Sequence, residues 1–366
     1  MIEVLVQRLL DLACEIQQIP APTFQEGARA AFVRDRLAAE GLSDVELDDL
    51  GNVFARRPGQ YADAPAVLVT AHLDTVFPAA TPLTLARSAE RIAGPGIGDN
   101  SLGVAGLLAL VWALHGQALP GDLYLAANVG EEGLGNLGGM RRVVDRLGTR
   151  VRNTIVLEGM ALGHIYHAAL GVRRYRITAR AEGGHSWLHF GRPSAIHGLV
   201  RLGAKITELP LPATPRSTFN IGTITGGTSV NTIAREASFD LDLRSEAPDA
   251  LANLATWVEK LAAAFGTADL SVEAEIIGDR PTGSLPREHP LVQLAARALA
   301  EVGVSDCTFE MGSTDANIPL SRGLPCVCIG LARGANSHRP DEYIETRDVD
   351  RGLQAALRVV KGAFEL

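Results

Sequence analysis

The stretch Ala66-Val-Leu-Val-Thr-Ala-His-Leu-Asp74 decides the fold. Its first six residues, Ala66–Ala71, are an apolar run of strand length that stops at a histidine and an aspartate. Three more runs of this kind follow, Leu123–Val129, Thr154–Leu157 and Cys326–Leu331, each ending in polar or glycine-rich sequence. Helical patterns at Leu102–His115 and Asn136–Leu147 lie between the first three. Such alternation predicts an α/β layer with a mostly parallel central sheet.

Upstream, Glu3–Gln17 reads as a helix. Thr23-Phe-Gln-Glu26 fits a capping box opening a second helix to about Glu40, with Ile19-Pro-Ala-Pro22 as the break. Downstream the texture changes at Gly171. A strand at Gly171–Ala181, a helix at Pro193–Leu209, strands at Ser217–Ile224 and Glu236–Arg244, a helix at Pro248–Phe265 and a strand at Ser271–Ile277 follow in turn. The order β-α-β-β-α-β is the ferredoxin-like pattern. The first texture resumes at Leu291–Gly303. The expected organisation is one discontinuous domain, residues 1–170 and 279–366, interrupted by an insert at 171–278.

Composition bounds the partners. The 366 residues carry 34 Lys+Arg against 42 Asp+Glu, a formal charge of −8, so no basic footprint for nucleic acid or an anionic membrane is expected. No apolar stretch approaches the ~20 residues of a membrane span, and Met1–Leu10 lacks the features of a leader, so the expected compartment is the cytoplasm. Cys14, Cys307, Cys326 and Cys328 are too few for a disulfide scaffold and read as small packing residues.

Open α/β sheets bind ligands beyond the carboxyl ends of their strands. His72 and Asp74 follow the first strand, Asp99 sits in Gly94-Pro-Gly-Ile-Gly-Asp-Asn100, Glu131 and Glu132 follow the second, Glu158 ends the next, and His338 lies beyond Cys326–Leu331. Two imidazoles with at least three carboxylates suit a dication such as zinc, and a shared carboxylate could hold two ions at ~3.5–4 Å. The i, i+2 spacing of His72 and Asp74 lets the acid bond one imidazole nitrogen while the other faces a metal.

The series His72-Leu-Asp-Thr-Val76, Gly98-Asp-Asn100, Glu131-Glu-Gly133, Leu157-Glu158 and Gly312-Ser-Thr-Asp315 with His338 resembles the co-catalytic zinc family of glutamate carboxypeptidase, tripeptidase T, acetylornithine deacetylase, succinyl-diaminopimelate desuccinylase and aminoacylase. The resemblance implies a zinc-exopeptidase-like catalytic domain with a lid and dimerisation insert. It implies two Zn²⁺, with Co²⁺ or Mn²⁺ as substitutes: His72 and Glu158 on one, Glu132 and His338 on the other, Asp99 bridging. Asp74 would orient His72, Glu131 would be the general base for a water between the metals, and the Asp99–Asn100 peptide would be cis. Asn100 departs from the acid, Lys or Met that many relatives carry after the bridging Asp. His185, in Glu182-Gly-Gly-His-Ser-Trp187, would donate to the oxyanion, in relatives across a dimer interface. Arg280 with Asn231 would clamp the substrate's carboxylate, Arg244 would be structural or a support for that clamp, and Gly312 would let backbone approach the substrate. The implied activity is hydrolysis of short peptides by a homodimer. Deacylation of N-acyl amino acids is the alternative, and a non-catalytic binding protein on the same fold the remote one.

Overall fold

The computed structural model describes residues 2–211 and 213–366 and separates into two compact units, Met1–Ala169 with Gly283–Leu366, and Leu170–Thr282.

In the first unit the strands Leu123–Asn128, Ala66–His72, Val151–Glu158 and Cys326–Gly330 lie side by side in that order, all parallel. Antiparallel strands flank them: Val53–Arg57 and Ser43–Leu47 on one side, His164–Ala169 on the other. Every residue of Ala66–His72 is buried. Val67, Val69 and Ala71 pack into the core that holds the helices Ile2–Gln17, Leu102–Ala113 and Val349–Ala363, while Ala66 and Leu68 pack with the helix Gly138–Leu147. Alternate side chains leave a strand on opposite faces, so covering both faces removes the polar alternation that a half-exposed strand would show. The same division holds for Cys326 and Cys328 on one face and Val327 and Ile329 on the other.

From Ala66–His72 the chain crosses through Leu102–Ala113 to the neighbour Leu123–Asn128. It then returns through Gly138–Leu147 to Val151–Glu158 on the other side of the starting strand. The loop after Ala66–His72 leads to a helix on one face and the loop after its neighbour Leu123–Asn128 to a helix on the other, so the loops at these two carboxyl ends part and leave a crevice, the usual ligand position in such sheets.

The capping box at Thr23 does not form. Phe24 takes a left-handed backbone (φ 73°), Pro22 bridges to Thr75, and the helix begins only at Gly27. Thr23 Oγ1 donates instead to Asp74 Oδ2 at 2.9 Å, so the hydroxyl serves the carboxyl ends of the strands rather than the helix.

The second unit is a four-stranded antiparallel sheet, in the order Ser217–Gly226, Glu236–Ser245, Gly171–Ala181, Leu270–Arg280. The helices Ala195–Thr207 and Pro248–Phe265 pack on one face around Tyr175, Ile177, Phe239 and Leu241. This is the ferredoxin-like arrangement. Its last strand runs on to Arg280 rather than stopping at Ile277, because Gly278, Asp279 and Arg280 continue the ladder against Arg174, Arg173 and Val172 past a register shift after Ile276.

Candidate metal centre

The strand ends of the first unit bring together all five expected ligands. His72 Nε2 lies 3.1 Å from Asp99 Oδ1 and 3.7 Å from Glu158 Oε2. His338 Nε2 lies 3.2 Å from Asp99 Oδ2 and 3.3 Å from Glu132 Oε1. The two oxygens of Asp99 thus face one imidazole each, and two ligand triads, His72–Asp99–Glu158 and Asp99–Glu132–His338, share that carboxylate. Two atoms each ~2.1 Å from one tetrahedral cation stand about 3.4 Å apart, close to the spacing found here. Glu132 Oε1 is buried and, His338 Nε2 apart, has no hydrogen-bond donor among the described residues, as suits an atom facing an ion. His72 is buried and His338 is 54 % exposed, so the cluster opens to solvent on the His338 side.

Local structure sets these positions. The Asp99–Asn100 peptide is cis. Asn100 is fully buried and its Nδ2 donates to the carbonyl of Leu157 at 2.8 Å, next to Glu158. A Cβ on Gly103 would lie 2.0 Å from Asn100 Oδ1, so glycine there lets the amide tuck beneath the helix. An acid at position 100 would have no N–H to give Leu157. Glu342 Oε1 accepts from the amides of Gly98 (2.7 Å) and Asp99 (2.9 Å), and Ser337 Oγ donates to Asp99 Oδ2 at 2.7 Å.

Asp74 is fully buried and does more than its spacing suggested. Its Oδ1 is 3.4 Å from His72 Nδ1, while the imidazole is closer, at 3.1 Å, to the Asp74 main-chain carbonyl. The shorter carboxylate bonds come from the amides of Glu131 (2.9 Å) and Glu132 (2.8 Å). Asp74 therefore holds the Glu131–Glu132 backbone at least as firmly as it holds His72.

The electrostatics record crowding of like charge. Burial alone would depress His72, but Glu158, Asp74 and Asp99 carry it well above the usual imidazole range. Burial, with the charges of Asp99 and Glu131, pushes Glu132 and Glu158 each up to about 7, against the opposing pull of His338 and His72 respectively. Burial opposes ionisation of Asp99 too, yet bonds from His338, His72 and Ser337 hold it well below the carboxylate range. Hydrogen bonds to Asp99 and Glu132 raise His338 to about 10. This many acids around two imidazoles repel one another unless cations join them, and the donor set fits two dications.

Two buried acids near the cluster had no role assigned from sequence. Asp315, in the Gly312-Ser-Thr-Asp315 motif, is fully buried, accepts from Asn128 Nδ2 at 2.7 Å and is pushed up to about 8 by burial and the charge of Glu131. Glu342 lies in no motif, and only the folded loop shows its hold on Gly98 and Asp99. Gly312 also has a reason within the fold: a Cβ there would sit 2.7 Å from the ring of Tyr166 on the adjacent strand.

The remaining residues belong to the insert. His185, in the short strand Gly184–His185 paired with Thr232–Ile233, is exposed. Its Nδ1 accepts from the amide of Trp187 at 3.2 Å, which places the ring proton on Nε2. The Asn231 carbonyl accepts from Ser186 N at 3.0 Å, so His185 and Asn231 are neighbours. Arg280 is buried at the far end of the insert's four-stranded sheet. It pairs with Val172, whereas the turn to His185 follows Ala181, nine residues and about 30 Å along the strand. Within one insert Asn231 and Arg280 are therefore too far apart to close on one carboxylate. Arg244 flanks Val172 on its other side, and its Nε donates to Asp242 Oδ1 at 2.7 Å, a structural ion pair.

A model of peptidase family M20/M25/M40 matches residues 68–362. A peptidase M20 domain-containing protein of Schizosaccharomyces pombe is 28 % identical over 344 residues, covering 90 % of this chain and 78 % of its own. A tripeptidase from Staphylococcus aureus superposes with a TM-score of 0.80 at 22 % identity over 99 % of both chains. YxeP from Bacillus subtilis, described as a dinuclear metal binding peptidase, superposes at 0.71 with 17 % identity, again over 99 % of both. The chain belongs to peptidase family M20/M25/M40 and is a hydrolase of that family.

Proposed function

We propose that the chain is a dinuclear zinc-dependent hydrolase that cleaves the amide bond of short peptides, as an exopeptidase of carboxypeptidase or tripeptidase type. The observation that carries the reading is Asp99, with one carboxylate oxygen toward each of two imidazole-bearing triads. His72 and Glu158 would hold one Zn²⁺, Glu132 and His338 the other, and Asp99 both. Bound zinc supplies Lewis acidity for the scissile carbonyl and brings the pKa of a water toward neutrality.

The chain's own residues do the rest. Glu131 is buried beside Glu132, with its amide held by Asp74, and acts as general base, taking a proton from water and passing it to the leaving amine. His185 presents Nε2–H as a donor for the oxyanion. Arg280 offers a planar fork for the substrate's free carboxylate. Since His185 and Asn231 lie together at the opposite end of the insert from Arg280, we read the complete set as assembled in a homodimer, His185 and Asn231 serving the partner's site.

The test is turnover on a panel of di- and tripeptides beside a panel of N-acetyl amino acids, with Zn²⁺, Co²⁺ and Mn²⁺ compared after chelation. The expected result is peptide hydrolysis that chelation abolishes and metal restores. Turnover confined to the acetylated panel would replace the peptidase reading with the deacylase one. Gel filtration with light scattering tests the dimer.

A further inference from the structure

The loop that carries Glu131 leaves the sheet immediately after Asn128, so its amides lose the ladder partners that a strand would supply. Four side-chain oxygens, from three residues, replace them in succession. Val129 N donates to Asn52 Oδ1 (3.0 Å), Gly130 N to Glu26 Oε1 (3.1 Å), Glu131 N to Asp74 Oδ1 (2.9 Å) and Glu132 N to Asp74 Oδ2 (2.8 Å). All three acceptor residues are buried, with Asn52 and Asp74 at 0 % exposure and Glu26 at 5 %. Each is itself fixed. Asp48 Oδ1 accepts the amide of Asn52 and its Oδ2 the side-chain amide, while the latter also reaches the carbonyl of Gly139. The buried Arg29 guanidinium, one helical turn from Glu26, bonds the carbonyls of Ile19 and Leu73 and so pins the residue before Asp74.

We propose that Glu26 and Asn52, two residues outside the span that matches the family model, are positioning residues that set the general base Glu131 by holding the amides just ahead of it. The inference rests on the reading of Glu131 as the base. Its physical content is that a buried carboxylate is costly unless it accepts hydrogen bonds, and Glu26 meets that cost at the one turn where the backbone of the base has no strand beside it. A shift of this turn moves Glu131 relative to the ligand triads without touching any ligand atom.

The experiment uses the full chain with both panels of substrates and three variants, Glu26→Ala, Glu26→Gln and Asn52→Ala. In Glu26→Ala, kcat on a substrate turned over by the wild type falls by roughly ten- to a hundredfold. KM stays within about twofold, and zinc content measured by atomic absorption stays at the wild-type ratio. Hydrogen exchange in the 129–132 segment speeds up at least about tenfold in both alanine variants, while the Ala66–His72 strand keeps its protection. Glu26→Gln, which keeps an acceptor oxygen for Gly130, regains most of the kcat and of the protection. Unchanged exchange at 129–132 in both alanine variants overturns the proposal, as does a Gln variant no better than Ala. Absence of turnover by the wild type on either panel would count against the proposed function instead, and the exchange measurement still decides whether the clamp exists.

Discussion

The two sheets of this chain are built on opposite principles. The strand Ala66–His72 of the first is buried at every position, whereas Glu236–Ser245 of the second alternates residue by residue between buried and partly exposed or exposed. On the face of the second sheet away from its helices, arginines of Gly171–Ala181 pair with acids on both neighbouring strands: Arg174 with Asp242, Arg176 with Asp240, Arg180 with Glu236 and Glu273. The parallel sheet spends its faces on packing and keeps its chemistry for one edge, where His72, Glu131, Glu132 and Glu158 emerge within a few residues of strand ends. The antiparallel sheet has a wet face stabilised by cross-strand ion pairs, and its proposed functional groups sit at its two ends. A site that demands sub-ångström placement is thus anchored where packing is densest.

Substitutions separate the two kinds of sheet. The largest effect is expected at the strand ends: Glu131→Gln lowers kcat by roughly a thousandfold with metal content and melting temperature near those of the wild type, read by turnover, metal analysis and calorimetry. A loss of metal in that variant would make Glu131 a ligand rather than a base.

Next comes pH. Glu132 and Glu158, pushed up to about 7, hold protons below that value that a dication must displace, so metal uptake weakens as pH falls through 7 and strengthens above it. Calorimetric metal titrations at several pH values in buffers of different ionisation enthalpy should show proton release that shrinks as pH rises. Release independent of pH across neutrality would contradict the crowding described.

In the doubly covered sheet Leu68→Ala should cost about 2–5 kcal/mol by denaturant unfolding, since the residue is fully buried. The smallest effect belongs to the charged face of the insert: Arg176→Ala should shift the melting temperature by less than about 2 °C. If the ladder variant were as damaging as the core one, the contrast between the sheets would fail.

The doubly covered strands, their polar stops and the ferredoxin-like order of the insert were legible because each rests on local pattern: apolar run length, period-two alternation, and the residue that ends a run. The five candidate ligands that the fold brings together were legible for the same reason, as each sits at the end of such a run or in a short motif or loop beside it. The capping box at Thr23 failed because the bridge of Pro22 to Thr75 and the left-handed turn at Phe24 override a local helix signal. Glu342 and Asn52 went unread because their partners lie 244 and 77 residues away, with no local mark at either end.

By itself, then, the sequence determined the kind of sheet, the existence of the insert and the identity of the acids and imidazoles at the strand ends, because burial and periodicity are written residue by residue. Only the tertiary structure decided which amides those acids bind, that Gly312 answers to Tyr166, and that Arg280 and Asn231 stand at opposite ends of the insert. Hydrogen-bond partners and distances along a sheet follow from register and from the closure of distant segments, and neither is encoded at any single position.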